Sequence, residues 1–220
     1  MSSVAPILKR LGAAIRAMDV PVVEKISGEE SADAFHVLIA TMLSAQTRDR
    51  VTEGASRRLF KLARTPRTMA KLPVRRIERT IYPVSFYRNK ARHVRETCRR
   101  LVSEFGGRVP ATMKELLSLP GVGRKTANLV LIVAHASKDN ICVDTHVHRI
   151  SNRLGWVATK NPEATEKALY GVAPRRFWSR INLYLVTWGQ NVCRPVYPLC
   201  RTCVLDDLCP KIGVTRVGRS

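Results

Sequence analysis

The fold is decided by residues 119–149, LPGVGRKTANLVLIVAHASKDNICVDTHVHR, which join a glycine turn, a lysine, an apolar segment and an aspartate. Upstream, Thr112-Met-Lys-Glu115 has the pattern of a capping box and predicts a short helix that ends at Leu119-Pro120-Gly121. Gly123 then lets the chain enter a second helix at Arg124. The predicted turn leaves backbone N–H groups without partners at the positive end of this second helix, where they form a binding site for a phosphate oxygen.

Lys125 and Asp144 are the two side chains of this stretch that suggest catalysis. Lys125 falls in the first turn of the second helix, where the helix dipole disfavours positive charge and thus favours a nucleophilic amine. Such an amine can attack a sugar or carbonyl carbon and form a Schiff base. The apolar helix predicted for residues 126–136, with the turn after it, is long enough to bring Asp144 back, and Asp144 is predicted to begin another helix.

Each of these features has a simpler structural interpretation when it is taken alone. A Gly-Val-Gly turn is common between helices, a first-turn lysine is usually solvated, and an aspartate before a helix usually serves as its N-cap. The combination of all three features in one stretch favours a site that binds phosphate and performs chemistry.

Two motifs, LPGVGRKTA at residues 119–127 and VDTHVHRISNRLGW at residues 143–156, resemble those of the endonuclease III family of helix-hairpin-helix DNA glycosylases. The similarity extends over residues 30–210. It implies a bifunctional DNA glycosylase and AP lyase of base-excision repair, which removes oxidised pyrimidines such as thymine glycol and cuts the strand 3′ to the AP site by β-elimination. The resemblance further implies that Lys125 is the nucleophile and Asp144 the essential carboxylate.

The predicted fold class is all-α. Apolar residues recur at helical spacing along the chain, and no segment shows the alternation of a β-strand. The family resemblance implies two lobes: a helical barrel at residues 28–138 that contains the helix-hairpin-helix, and an iron–sulfur domain formed by residues 1–27 and 139–220. In this arrangement the cleft between the lobes holds DNA, with the lysine and the aspartate facing each other at its mouth.

The net charge of +21 predicts a polyanionic partner. Nucleic acid is the commonest such partner, although anionic membrane surfaces and ribosomes are alternatives. No apolar run reaches the roughly 18 residues that cross a bilayer. Residues 1–18 are basic and amphipathic, as mitochondrial transit peptides are, but their apolar spacing favours an ordinary first helix.

The family resemblance names the partner and its location more closely. It implies a monomer that binds double-stranded DNA carrying a damaged base or an AP site, without any membrane association. We therefore expect an intracellular, DNA-associated protein. Its compartment would be the cytoplasm, at the nucleoid, in a prokaryote, and the nucleus or the mitochondrion in a eukaryote.

A second motif near the C-terminus suggests a metal centre. Its four cysteines, whose close spacing allows them to share one centre, are Cys193, Cys200, Cys203 and Cys209. From the cysteines alone, structural zinc and an iron–sulfur cluster are equally good interpretations. Disulfides are disfavoured, since nothing marks the chain as secreted. The intervals of six, two and five residues resemble the [4Fe–4S] loop of the endonuclease III family, which implies that cluster. Cys98 and Cys142 lie in apolar segments and are predicted to be buried packing residues.

Chemistry on a base inside a duplex requires the nucleotide to be extruded and its place to be filled. By family resemblance, Gln46 fills the void, and Val84 and Phe86 belong to the wedge loop. This loop departs from the family pattern, because Ser85 stands where relatives often carry glycine and Phe86 where an aliphatic residue is frequent. Core packing is the alternative for Val84 and Phe86.

Further contacts with the DNA backbone are expected from both motifs. We expect the phosphates to be bound by Gly121, Gly123 and Arg124 of the hairpin. His146 is expected to approach the backbone beside the flipped nucleotide, whereas His148 points elsewhere on the helix and is expected to be structural. Arg194, within the first intercysteine loop, is a candidate phosphate contact, with a solvated surface arginine as the alternative.

Two other functions are compatible with parts of the sequence. Adenine-mismatch and thymine-mismatch glycosylases resemble this chain in the hairpin and the aspartate, but most lack a lysine at the position of Lys125. A DNA-binding module without catalysis would explain the charge and the cysteines. The joint presence of Lys125 and Asp144 argues against such a module.

Overall fold

The computed structural model describes residues 3–29 and 33–218. Within these ranges all regular structure is helical and no β-strand occurs, so the all-α prediction is confirmed. The α-helices are α1 (Val4–Ala14), α2 (Val22–Ser27), α3 (Ala34–Ser44), α4 (Asp49–Leu62), α5 (Pro66–Ala70), α6 (Val74–Ile81), α7 (Tyr87–Glu104), α8 (Met113–Ser118), α9 (Arg124–Ala134), α10 (Thr145–Arg153), α11 (Pro162–Val172) and α12 (Trp178–Asn191). None of the described helices is both long and apolar enough to span a bilayer.

The chain divides into two compact units. The first, called here the split unit, is formed by Met1–Pro21 and Lys138–Ser220; the second, the continuous unit, is Val22–Ser137. The family resemblance implied the corresponding boundaries at residues 28 and 139. The first boundary differs because α2, which sequence patterns did not predict, packs on α3, α4 and α9 and therefore belongs to the continuous unit.

The continuous unit is built around α3, whose residues 35–43 are all buried. A helix that is buried on every side needs no polar face, which explains its apolar sequence from Phe35 to Leu43. Asp33 caps this helix by accepting the backbone N–H groups of Phe35 and His36. The helices α2, α4, α7 and α9 pack against α3. This packing fixes the start of α9, where the predicted nucleophile lies.

The split unit is built around α12, which packs on α1 and α10. Ile7, Leu8 and Leu11 of α1 are fully buried, so the basic N-terminal segment forms an ordinary first helix over its described residues. Ile181 and Leu185 of α12 lie in the same apolar core. This core supports the start of α10, which follows Asp144, and the cysteine-rich segment after α12.

Candidate active site

The helix-hairpin-helix predicted from the sequence is formed by α8, the turn after it and α9. Thr112 caps α8, because its hydroxyl accepts the backbone N–H of Glu115 at 3.3 Å. The Glu115 carboxylate accepts the Thr112 hydroxyl at 2.6 Å and not the Thr112 backbone N–H, so only half of the expected capping box forms. Gly121 takes the left-handed conformation with φ of 76°, and Gly123 is the N-cap of α9.

Two of the three hairpin N–H groups are placed as the predicted anion-binding site requires. The Val122 N–H donates to Leu119 O at 3.1 Å and is therefore used inside the turn. Gly121 and Gly123 are exposed, and in the described part of the chain neither of their N–H groups has a hydrogen-bond partner. Two glycine N–H groups at the N-terminus of an 11-residue helix can donate hydrogen bonds to an anionic oxygen.

Helix α7 fixes the position of the hairpin. The Thr97 hydroxyl donates to Pro120 O at 2.8 Å. The ring of His93 lies directly against Gly121, because a Cβ atom on that glycine would be 2.8 Å from His93 Nδ1. Glycine is thus required here for two reasons: the backbone has a positive φ, and α7 lies too close to leave room for a side chain.

Lys125 is the second residue of α9, as predicted, and is partly buried. Its charge acts on two groups of the same unit. Burial raises the pKa of Glu24 to about 7; Lys125 opposes this rise and Asp49 adds to it. Burial and then the charge of Lys125 lower the pKa of Lys90 to about 8. The Glu24 side chain is partly exposed, but its Oε2 atom is buried without a hydrogen-bond partner among the described residues. Lys125 therefore lies in a cluster of titratable groups.

The residues predicted to replace the flipped nucleotide differ in exposure. Gln46 is exposed and left-handed, with φ of 54°. Phe86 is 63% exposed and also left-handed, with φ of 55°. Val84 is only 2% exposed and packs in the core of the continuous unit. The prediction of Val84 as a wedge residue is therefore corrected, since a core side chain cannot enter DNA without unpacking, whereas the exposure of Phe86 is compatible with that role.

Asp144 is the N-cap of α10, the structural role that the sequence also indicated. Its Oδ1 atom accepts the backbone N–H groups of His146 at 2.8 Å and of Val147 at 2.9 Å. Oδ2 is not used in the cap. One carboxylate oxygen therefore orders the helix start, while the other provides a second acceptor at the same position.

The two histidines of α10 make different contacts. His148 Nδ1 lies 2.6 Å from the hydroxyl of Thr165, a contact compatible with the structural role expected for it. The His146 ring packs against Gly189 of α12, where an added Cβ would be 2.5 Å from its Nδ1 atom, and Nδ1 lies 3.1 Å from Arg149 Nη2. Partial exposure leaves His146 able to reach a ligand.

The C-terminal cysteines surround one cavity of the split unit, which is lined by Cys193, Cys200, Cys203 and Cys209. Within the described residues, no three histidine, cysteine or acidic side chains are grouped closely enough to hold a metal ion. The four thiols therefore surround a space and do not form a ready single-ion site. Burial is the largest cause that raises the pKa values of Cys200, Cys203 and Cys209, and the charge of Cys193 contributes to each.

Several groups around this cavity are suited to thiolate ligands. The backbone N–H groups of Leu205 and Lys211 donate to the sulfurs of Cys203 and Cys209, each at 3.4 Å. The indole of Trp188, which also lines the cavity, is buried, and its hydrogen bond to the Cys203 side chain opposes the rise that burial causes in the pKa of that thiol. Hydrogen bonds to sulfur and an apolar lining are usual around iron–sulfur centres, so these residues fit such a group.

Arg153 supports the first intercysteine loop, a role that sequence patterns did not indicate. It is only 9% exposed, and its guanidinium donates to Arg194 O at 2.7 Å, to Pro195 O at 2.8 Å and to Cys193 Sγ at 3.4 Å. The Arg194 side chain is exposed. The exposed Arg194 side chain therefore lies on a loop whose backbone is held by the buried Arg153. Cys98 and Cys142 are fully buried, as predicted.

Lys90 and Glu24 are also absent from the residues that the sequence singled out. Lys90 occupies the first turn of α7, where a lysine carries no motif, and its partners lie more than forty positions away along the chain. Glu24 lies on α2, a helix of six residues that is too short for a clear apolar period. Only the three-dimensional packing brings these residues next to the predicted site.

Comparison with known proteins gives three concordant similarities. A family profile described as HhH-GPD superfamily base excision DNA repair protein matches residues 39–175. The chain is 50% identical over 177 residues to endonuclease III of Thermotoga maritima, covering 80% of this chain and 83% of that protein. It is 42% identical over 202 residues to endonuclease III-like protein 1 of Mus musculus, covering 87% of this chain and 67% of that protein.

A solved structure of a trapped endonuclease III–DNA covalent intermediate, in its estranged-adenine complex, has a similar fold. The TM-score is 0.84 at 33% sequence identity, and the similarity covers 94% of each chain. The similarity to this structure thus includes both units.

Proposed function

The chain belongs to the HhH-GPD superfamily of base excision DNA repair proteins and to its endonuclease III family, and from this premise we propose how its residues carry out glycosylase and AP lyase chemistry. The substrate is double-stranded DNA with an oxidised pyrimidine, such as thymine glycol, or with an AP site. The protein acts as a monomer, in the compartment that contains the DNA it repairs. The observation that carries this proposal is Lys125 in the first turn of α9, directly after the glycine hairpin.

The proposed reaction begins with attack on the sugar. The Lys125 amine attacks C1′, the bond from C1′ to the damaged base breaks, and the base leaves with the electron pair and gains a proton. Asp144 assists removal of the amine proton and offsets the positive charge that develops on the sugar. The C1′–O4′ bond then breaks, O4′ takes up a proton, and an imine forms between the Lys125 nitrogen and C1′, which acidifies the C2′ proton. Loss of that proton breaks the C3′–O3′ bond by β-elimination and cuts the strand 3′ to the lesion.

Binding of the duplex is proposed to use both units. Gly121, Gly123 and Arg124 of the hairpin bind a phosphate, because the glycine amides and the start of α9 favour an anion. In the split unit, His146 and Arg194 bind the backbone. Gln46 and Phe86 enter the duplex after the nucleotide leaves it, which agrees with their exposure.

We propose that Cys193, Cys200, Cys203 and Cys209 hold a [4Fe–4S] cluster. The cavity that these thiols surround, the backbone N–H groups directed at two of the sulfurs and the buried Trp188 indole beside Cys203 support this assignment. When bound, the cluster would be held by these four thiolates and would order the loop that carries Arg194. None of the proposed steps on the sugar passes through it.

The proposed function is tested with duplexes that are identical except for one site. That site carries thymine glycol, an AP site, a G·T mismatch or an adenine mismatch, and each reaction is stopped with borohydride. The proposal predicts covalent protein–DNA adducts and strand scission with thymine glycol and the AP site. Base release without any adduct, or activity confined to the mismatches, would contradict it.

A further inference from the structure

Lys90 connects the two loops that carry Gln46 and Phe86. Its Nζ atom donates to Leu43 O at 2.7 Å, to Ala45 O at 2.5 Å and to the Thr47 hydroxyl at 3.2 Å. An ammonium group has three hydrogens, and all three find acceptors here. The side chain is therefore committed to the loop that follows α3.

The acceptors of Lys90 flank Gln46 on both sides. Leu43 lies in the last turn of α3 and Ala45 is its C-cap, so their carbonyl groups lack helical partners and attract a cation. Gln46 itself is held in the left-handed region, which a residue other than glycine adopts only when its surroundings enforce it. The contacts at Ala45 and Thr47 provide this enforcement.

The Lys90 side chain reaches the second loop through Thr47. That loop is also joined to the helix that carries Lys90, because the first helical hydrogen bond of α7 runs from the Lys90 backbone N–H to Phe86 O at 3.0 Å. The Thr47 hydroxyl, which Lys90 contacts, accepts the backbone N–H of Ser85 at 3.2 Å. A continuous chain of hydrogen bonds therefore runs from the Gln46 loop through Lys90 and Thr47 to the Phe86 loop, entirely within the continuous unit.

We infer that Lys90 is a positioning residue that fixes Gln46 relative to Phe86, so that both side chains enter the duplex together when the nucleotide is extruded. This inference rests on the proposed function. The Nζ atom of Lys90 is committed to three acceptors and is not a nucleophile. Its contribution is the relative placement of two inserted side chains, and a displacement of about 1 Å in such placement can slow a reaction by about 100-fold.

The inference separates two substrates that share the same chemistry. An AP site in a duplex must be extruded, and its place filled, before Lys125 can reach C1′. An AP site in a single strand needs no such filling. Loss of the Lys90 contacts should therefore slow the reaction with the duplex and leave the reaction with the single strand unchanged.

The experiment compares single-turnover borohydride trapping on one AP oligonucleotide, single-stranded and in duplex, for the complete protein. Lys90→Met keeps the length of the side chain and removes all three donors. We expect its trapping rate on the duplex to fall about 10- to 100-fold while the rate on the single strand stays within about twofold of wild type. Lys61→Met, an exposed lysine of α4, removes the same charge and should leave both rates unchanged.

Thr47→Val provides a second test if Lys90→Met does not fold. It keeps the ammonium and the carbonyl contacts of Lys90 but removes the hydroxyl that Lys90 and Ser85 share. The same selective loss on the duplex, of smaller size, is expected. Equal losses on both substrates would mean that Lys90 acts through Lys125 or through folding, and would overturn the inference, as would unchanged rates. Failure of wild type to form an adduct with either substrate would instead refute the proposed function.

Discussion

The Oδ1 atom of Asp144 accepts the Val147 backbone N–H at 2.9 Å, so the proposed catalytic carboxylate is also the N-cap of α10. The two roles use different properties of the side chain. A cap needs one oxygen that accepts hydrogen bonds, whereas catalysis needs a negative charge. Replacing the carboxylate by an amide separates the roles.

Asp144→Asn should keep the fold and lose the reaction. Asparagine caps a helix about as well as aspartate, so the melting temperature should stay close to that of wild type. The amide can neither take a proton nor balance charge on the sugar, and the single-turnover rate of base removal should fall about 10²- to 10⁴-fold. Thermal unfolding and quenched-flow kinetics on thymine glycol duplex measure the two effects.

Asn161 provides the matched control, because its side chain caps α11 by accepting the Ala164 backbone N–H at 2.9 Å. Asn161→Ala should lower the free energy of unfolding by about 1 kcal/mol without changing the rate. A fully active Asp144→Asn protein would mean that Asp144 is a cap and nothing more.

Sequence periodicity predicted most helices well, because their apolar residues repeat over several turns. Pro162 begins α11, where Asn161-Pro162 has the sequence pattern of a helix start. The missing element is α2, whose six residues complete fewer than two turns. The predicted end of α9 was two residues too late, because Ala136 takes the left-handed conformation.

The position of a site residue was predictable where the neighbouring sequence alone determines its environment. The Asp144 cap and the buried Cys98 are of this kind. Val84 was not, because an apolar residue in a loop has the same local sequence whether it is buried or exposed. Lys90 was not either, since its acceptors on the Gln46 loop are distant in sequence.

The cysteine cavity should bind iron. Purified protein should contain about four irons per chain, and Cys203→Ser should lower that number and the melting temperature, because the lost thiolate is a ligand. Cys98→Ser is the control: burial raises the pKa of the Cys98 thiol to about 12, and this residue lies in the core of the other unit, so iron content should not change. Stoichiometric zinc without iron in anaerobically prepared protein would refute the cluster assignment.

Gly121→Ala should weaken binding to every duplex by a similar factor, because the hairpin is proposed to contact phosphate and not bases. An added Cβ is strained at φ of 76° and meets His93 at 2.8 Å, which should displace the hairpin amides. Fluorescence anisotropy with several undamaged sequences measures the loss, for which we expect about tenfold, or about 1.4 kcal/mol.

Gly106→Ala is the matched control for Gly121→Ala. Gly106 also has a positive φ, of 62°, but no atom lies within 4 Å of an added Cβ there. Gly106→Ala should therefore introduce similar backbone strain without weakening the binding of DNA. Equal affinities for the two variants would exclude a phosphate site at the hairpin.

Glu24 should make stability depend on pH between about 4.5 and 7. Burial raises the pKa of Glu24 to about 7, so the folded protein binds the proton more tightly than the unfolded chain does. The contribution is therefore complete below pH 4.5 and is lost as the pH rises through 7. Glu24→Gln should remove this loss and raise the melting temperature at pH 8, relative to wild type, by on the order of 5 °C.

Scanning calorimetry from pH 5 to pH 8 compares wild type with Glu24→Gln. If wild type and Glu24→Gln have parallel profiles, Glu24 does not hold a proton in the folded state.

The central claim is that Lys125 is the nucleophile, and covalent trapping tests it most directly. Lys125→Gln retains a side chain of similar length that can form hydrogen bonds but removes the amine, so damaged duplex should still bind. Borohydride-trapped adduct and strand scission should fall by orders of magnitude, by about 10³-fold or more. Adduct formed at the wild-type level in Lys125→Gln, on the same thymine glycol duplex, would contradict the assignment and with it the proposed lyase mechanism.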